Sequence, residues 1–227
     1  MTSVHSINIG KMPICAFKEI VEMSDAAKLP TQRKLMAKDL VYALFYMNIL
    51  RFLPILLNMM DQTLQVGGML AYLGEYIPLA INFAICILLI VLHVKKKQAG
   101  LAPACLLWFV FCASNIAGKC IPDSQEQLSS AISIAELAIQ LVFYILYCRA
   151  MGHLTPKNVT DVPYMWKVCM IIFIIVYVSS LGAVGLALVP SMEGIAGFSA
   201  LVFLLSSFLG MVIHVYVLHL TARTLKD

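Results

Sequence analysis

Residues Met165 to Val189 read MWKVCMIIFIIVYVSSLGAVGLALV, 25 positions whose only charge is Lys167 near the start. That length exceeds the roughly 20 apolar residues an α-helix needs to cross a hydrocarbon core of about 30 Å. The run is continuously apolar and does not alternate, which excludes a barrel strand; in hydrocarbon its backbone groups must then be satisfied as a helix. Ile77 to Val94 and Leu101 to Gly118 have the same character. Working outward, six such segments emerge, at 39–60, 68–94, 101–118, 129–148, 165–189 and 195–220. Asn48, Arg51, Pro54 and Asn58 interrupt the first, and Gly67, Gly68 and Gly74 mark a bend or an interfacial approach to the second.

The whole composition agrees with this local reading. Of 227 residues, 61% are apolar and 12% charged, against about 25% charged in an ordinary soluble domain. So few charges cannot cover a globular surface, which excludes a soluble enzyme, a nucleic-acid-binding domain and a disulfide scaffold. The seven cysteines include no C-x-x-C and no outer pair, and most are read as small packing residues.

Lysines and arginines then orient the spans, because those near helix ends stay on the cytoplasmic side. Lys11, Lys18, Lys28, Arg33, Lys34 and Lys38 precede the first span, and Lys95, Lys96 and Lys97 follow the second. Arg149, Lys157 and Lys167 bracket the loop after the fourth, and Arg223 and Lys226 follow the sixth. The intervening loops carry Lys119 as their one basic residue, with Asp61, Asp123, Glu126 and Glu193. The expected fold is therefore all-α: a polytopic six-transmembrane-helix bundle with both termini cytoplasmic. Residues 1–38 form a cytoplasmic arm in which Pro13 to Met23 reads as a short interfacial helix or a solvated segment, 39–220 form one membrane domain, and 221–227 form a tail. The net charge of +4 is a topological signal on the inner face and implies no nucleic-acid partner.

Helical phase indicates which polar side chains face inward. Ser129, Ser133, Glu136, Gln140, Tyr144 and Tyr147 make one stripe on the fourth segment. Glu75, Asn82, Cys86 and His93 share a face of the second, Asn48, Arg51 and Asn58 of the first, and Ser199, Ser206, Gly210 and His214 of the sixth. Trp108, Cys112 and Asn115 make a weaker row on the third. Such stripes also serve simple helix packing through hydrogen bonds and small residues.

Arg51 and Glu136 demand more, since a charge near the bilayer centre costs about 2.5–3.5 kcal/mol even on the lenient insertion scale. Counted from the outer ends of their segments, Arg51 lies about 13 Å deep and Glu136 about 10 Å deep at 1.5 Å per residue. The matched depths predict an ion pair or a shared hydrated cavity, with Gln140 and Asn48 completing the hydrogen bonds and Glu75 as the alternative partner. Such a pair is either a clip fixing helix register or a gate.

No catalysis is expected. Ser199 and His214 lie 15 positions apart on one segment, about 22 Å at the helical rise, so they cannot form a nucleophile–base dyad. No compact metal-ligand motif or phosphate-binding glycine loop occurs, and no cofactor is expected. His93 and His214 at unequal depth make a poor haem pair.

The expected function is a small transporter or channel-like protein passing protons, ions or a small polar solute along a path lined by spans one, two, four and six. Arg51 and Glu136 form its centre, with Asn48, Asn82, Ser133, Gln140 and Ser206 along it. Glu75 stands at the outer entrance, and His214 with His93 at the inner exit. The alternative is a non-catalytic scaffold or accessory subunit of a membrane complex. The bilayer is the expected partner, a homo-oligomer or a partner membrane subunit stays open as a further one, and the sequence does not identify the membrane.

Overall fold

A computed structural model of the chain describes residues 36–54, 57, 60, 69–98, 100–121, 126–156, 159–187 and 193–225. Among these residues the architecture is all-α, with helices α1 (Ala37–Leu50), α2 (Met69–Lys96), α3 (Leu101–Lys119), α4 (Glu126–Leu154), α5 (Asp161–Ala187) and α6 (Glu193–Thr224). Helices α2 to α6 are each long and apolar enough to cross a membrane. Their composition implies a lipid bilayer as the surrounding solvent, the environment of an integral membrane protein. The interfacial helix expected at Pro13 to Met23 lies outside the described residues.

The first segment departs from the expected span over 39–60. Helix α1 has 14 residues, about 21 Å at the helical rise. It starts where the Asp39 carboxylate accepts the Met36 N–H at 3.1 Å, an acidic group at the positive end of the helix dipole. It stops in a turn at Arg51 and Phe52, where the Phe52 N–H bonds the Ile49 carbonyl at 3.1 Å, before Leu53 and Pro54 resume helical geometry. Pro54 supplies the cause: it has no N–H to donate, and its ring excludes the Leu50 carbonyl four residues back. Arg51 is thereby placed at a break in the helix.

The other helices overrun the sequence limits at 148, 165 and 220, because a helix does not end where its apolar surface does. Helix α4 continues to Leu154, α5 begins at Asp161 and α6 ends at Thr224. The tail expected from residue 221 therefore starts inside α6. Thr221 is fully buried and accepts the Trp166 Nε1–H at 2.9 Å. Pro103 and Pro163 sit in the first turns of α3 and α5, where a missing N–H costs nothing.

Each helix packs chiefly on its neighbours in chain order, and α6 closes back on α1. The direction of the seams follows from single contacts. Gly100 approaches Ala150 and Gly118 approaches Ile132, so α3 and α4 are antiparallel. Trp166 meets Thr221, Gly210 meets Ile172 and Gly182 meets Ser199, which does the same for α5 and α6. Helix α1 begins beside the end of α6, where Tyr42 and Phe45 pack on His219. The result is an up-and-down ring of six helices that gathers Lys38, Lys95, Lys96, Arg149, Lys167 and Arg223 toward one end.

The two ends of the ring differ in packing. Toward the basic end Val41, Leu44, Leu89, Leu92, Leu101, Met151, Trp166, Val217 and Leu218 are essentially inaccessible. Toward the other end, none of the described side chains from Ala113 to Val142, nor from Ile195 to Leu209, is buried. Between them lies the site.

Candidate functional site

The ring encloses a cavity of about 390 Å³ to which all six helices contribute, within the size range of small-ligand pockets. Arg51 comes from the break after α1, Asn82 from α2, Trp108 from α3, Gln140 and Tyr144 from α4, Tyr177 from α5 and His214 from α6. Spans three and five therefore line it as well as the four expected from sequence.

Among the described lining residues Arg51 is the only one with a permanent charge. One guanidinium nitrogen donates to the Tyr144 hydroxyl at 3.0 Å and the other terminal nitrogen to Asn82 Oδ1 at 2.8 Å. Its plane lies over the Trp108 ring, 5.0 Å from the centroid, a cation–π contact that strengthens as water is excluded. Asn82 holds both neighbours, because its backbone carbonyl also accepts the Trp108 Nε1–H at 2.9 Å. Every partner found for Arg51 among the described residues is neutral.

The expected Arg51–Glu136 pair is not formed. Glu136 accepts from Ser114 Oγ at 3.0 Å and Asn115 Nδ2 at 3.5 Å on the adjacent α3. Arg51 instead reaches α4 at Tyr144, eight residues from Glu136 toward the basic end, about 12 Å along the axis. Depth counted from segment ends misleads here because α1 stops at Leu50 and α4 begins earlier than 129. The stripe on α4 is real but fans out to different neighbours: Glu136 to α3, Gln140 Oε1 to the Tyr177 hydroxyl at 2.9 Å, Tyr144 to Arg51, and Tyr147 to His214 Nε2 at 3.3 Å.

The other expected residues divide. Asn48 lines the cavity, but its Nδ2 donates to the Leu44 carbonyl at 2.8 Å and not to an ion pair. Glu75 sits away from the cavity in a 2.6 Å salt bridge with Lys119, the one basic residue of the outer loops. Ser133 and Ser206 turn their hydroxyls back to carbonyls of their own helices, Ser129 at 3.0 Å and Val202 at 2.6 Å. His93 Nδ1–H donates to the Gln98 carbonyl at 2.9 Å at the end of α2, remote from His214.

Sequence reasoning missed several lining residues. Tyr144 was visible on the polar stripe and Trp108 on the row with Asn115, but both read equally as filler. Ser207 carries no phase signal beside Ser206, yet it lines the cavity with its buried hydroxyl unpartnered among the described residues. A buried polar atom without a partner marks a place for water or ligand.

Below Arg51 the ring closes. A void of about 10 Å³ remains among Leu44, Ile85, Phe143, Tyr147 and His214, at the lower limit for one water molecule. Phe143 stacks on Tyr147 with centroids 5.3 Å apart, and Tyr147 meets Trp166 edge to face. Among the described residues no three His, Cys, Asp or Glu side chains gather to hold a metal ion. The fold and site together define a helical membrane bundle with a charged central cavity that is closed toward its basic end. No protein-family model, curated protein or solved structure matches the chain.

Proposed function

We propose that the protein is a small gated transporter or channel-like protein whose solute is an ion or small polar molecule bearing a negative charge. The observation that carries the reading is Arg51: a cation at the closed end of a cavity built by all six helices, with only neutral partners among the described residues. The described carboxylates are engaged elsewhere, Asp39 with the Met36 N–H, Glu75 with Lys119, Glu136 with Ser114 and Asn115, and Asp161 with Thr160. A guanidinium has five N–H donors, and two are used by described partners. The remainder can take a carboxylate or similar anion in a bidentate grip, the strongest arrangement open to arginine.

Function then follows from the asymmetry of the lumen. Solute enters from the end opposite the basic one, exchanges its hydration for Arg51 and the hydroxyl of Ser207, and passes when the aromatic floor opens. Tyr144 accepts from Arg51 and packs edge to face on Tyr147 and His214, and Tyr147 bonds His214, so these floor residues couple occupancy to opening. The reading is non-enzymatic; it is supported by Ser199 lying beside Gly182 of α5 while His214, on the same helix as Ser199, turns to Tyr147 of α4.

The test is flux into liposomes carrying the purified protein, with chloride and small carboxylates against choline as a cationic control. Native protein should pass at least one anion, and Arg51→Gln should lower that flux roughly tenfold or more, as expected for losing a charge-assisted contact. Native protein that passes no solute under any imposed gradient would replace this reading by the scaffold one.

A further inference from the structure

A second concavity lies outside the ring, between α4 and α5 at the basic end, with a volume of about 640 Å³. Its walls separate by chemistry along the bilayer normal. Arg149 and Lys167 face each other across it, with His153 beyond them, while Ile145, Met170, Ile171 and Ile174 continue toward the membrane centre. Arg149 stands five residues before Leu154 and Lys167 six after Asp161, so both lie roughly 8 Å inside the helix ends. Long basic side chains at that depth extend toward the headgroup layer.

Among the described residues the lining contains no carboxylate, and neither Arg149 nor Lys167 has an ion-pair partner. Arg149, His153, Lys167 and Ile171 are exposed, whereas Cys148 and Trp166 form a buried floor. A charged rim over an apolar trough is complementary to an anionic phospholipid, with phosphate above and acyl chain below. Basic pockets between membrane helices bind such headgroups.

We infer that the α4–α5 groove is a binding site for one anionic phospholipid of the leaflet at the basic end, its phosphate held by Arg149 and Lys167 and its chain lying on Ile145, Ile171 and Ile174. The site is separate from the central cavity and stands whether or not the protein transports. Because α5 supplies Tyr177 and Phe173 to the cavity wall, lipid in the groove also holds the helix that lines the solute site.

Trp166 in the groove floor is a built-in reporter, and in a Trp108→Phe background it is the only tryptophan. The protein is reconstituted in phosphatidylcholine vesicles containing either brominated phosphatidylglycerol or brominated phosphatidylcholine at equal mole fraction. Quenching of Trp166 should favour the anionic lipid roughly thirtyfold in apparent affinity, from about 1 kcal/mol for each of the two basic groups at the surface, and Arg149→Gln with Lys167→Gln should abolish that preference. Excess inorganic phosphate should not relieve it. Equal quenching by the two lipids, a preference that survives both substitutions, or relief by free phosphate would each overturn the site. The lipid comparison needs neither groove variant, and native mass spectrometry of the unsubstituted chain with a mixture of the two lipids reads the same preference without the Trp108 change.

Discussion

The two ends of the ring are built from the same kinds of residue but packed for different purposes. Toward the basic end Trp166 is 1% exposed and hydrogen-bonded to Thr221, whereas Phe208, equally aromatic and on the other half of α6, is 67% exposed. In lipid, apolar character alone drives no association between helices, since the tails are as apolar as leucine. What distinguishes the ends is interdigitation: the open half keeps inter-helix hydrogen bonds such as Ser114 to Glu136 and Lys119 to Glu75 but buries none of its described side chains from Ala113 to Val142 or from Ile195 to Leu209, and it encloses space. Arg51 stands at the boundary, where the break caused by Pro54 gives it freedom to turn into the lumen.

The comparison breaks most readily through its two aromatic extremes. Trp166→Ala should cost about 3 kcal/mol, the low end for a buried tryptophan because the unfolded reference is also in lipid, while Phe208→Ala should cost under about 1 kcal/mol. Reversible unfolding in bicelles measures both. A loss at Phe208 equal to that at Trp166 would mean that the open half packs against another chain.

Arg51→Gln tests the boundary itself, by separating stability from solute handling. Removing the charge relieves desolvation but leaves Asn82 Oδ1 and the Tyr144 hydroxyl without their donor. The two effects are each of order 1 kcal/mol, so the net change in stability should fall within about 1 kcal/mol while anion flux falls roughly tenfold. A variant that unfolds while flux per folded molecule is kept would make Arg51 a structural clip.

Most of the fold was legible because bilayer thickness fixes helix length, and charge asymmetry fixes which loops share an end. The limits of α4 to α6 were less legible, since helices run past their apolar surface until local chemistry stops them, as at Thr221 within α6. The site was half legible. Phase placed Asn48, Asn82, Gln140 and His214 inward, and depth singled out Arg51. Its partner was misread because axial depth says nothing of direction around the ring: α1 and α4 are not neighbours, and Glu136 is turned to α3. The aromatic lining was hidden for a simpler reason, that tyrosine and tryptophan in a lipid-facing wall and in a lumen look alike in sequence.

Thiol accessibility sharpens the same contrast at smaller amplitude. Ser207→Cys places a thiol in the cavity wall, where a membrane-impermeant methanethiosulfonate reagent should modify it, more slowly when a transported anion is present. The native Cys148 and Cys169, buried toward the basic end, should stay unmodified in the folded protein. Modification of Cys169 at the rate of position 207 would place water in the closed half.

The smallest expected effect belongs to Glu136→Gln, and its smallness is informative. The donors to Glu136 are the neutral hydroxyl of Ser114 and amide of Asn115, and glutamine keeps one acceptor oxygen of the same reach. Losing a carboxylate in a membrane span relieves a cost, and losing charge-assisted strength in two bonds removes a gain of similar size. Stability should therefore change by less than about 1 kcal/mol, and the Arg51-dependent flux should be unchanged, because Tyr144 and not Glu136 receives the guanidinium. Flux lost in Glu136→Gln as fully as in Arg51→Gln, at equal folded amounts, would require the two side chains to meet in some working state and would extend the solute path along α4 beyond the cavity.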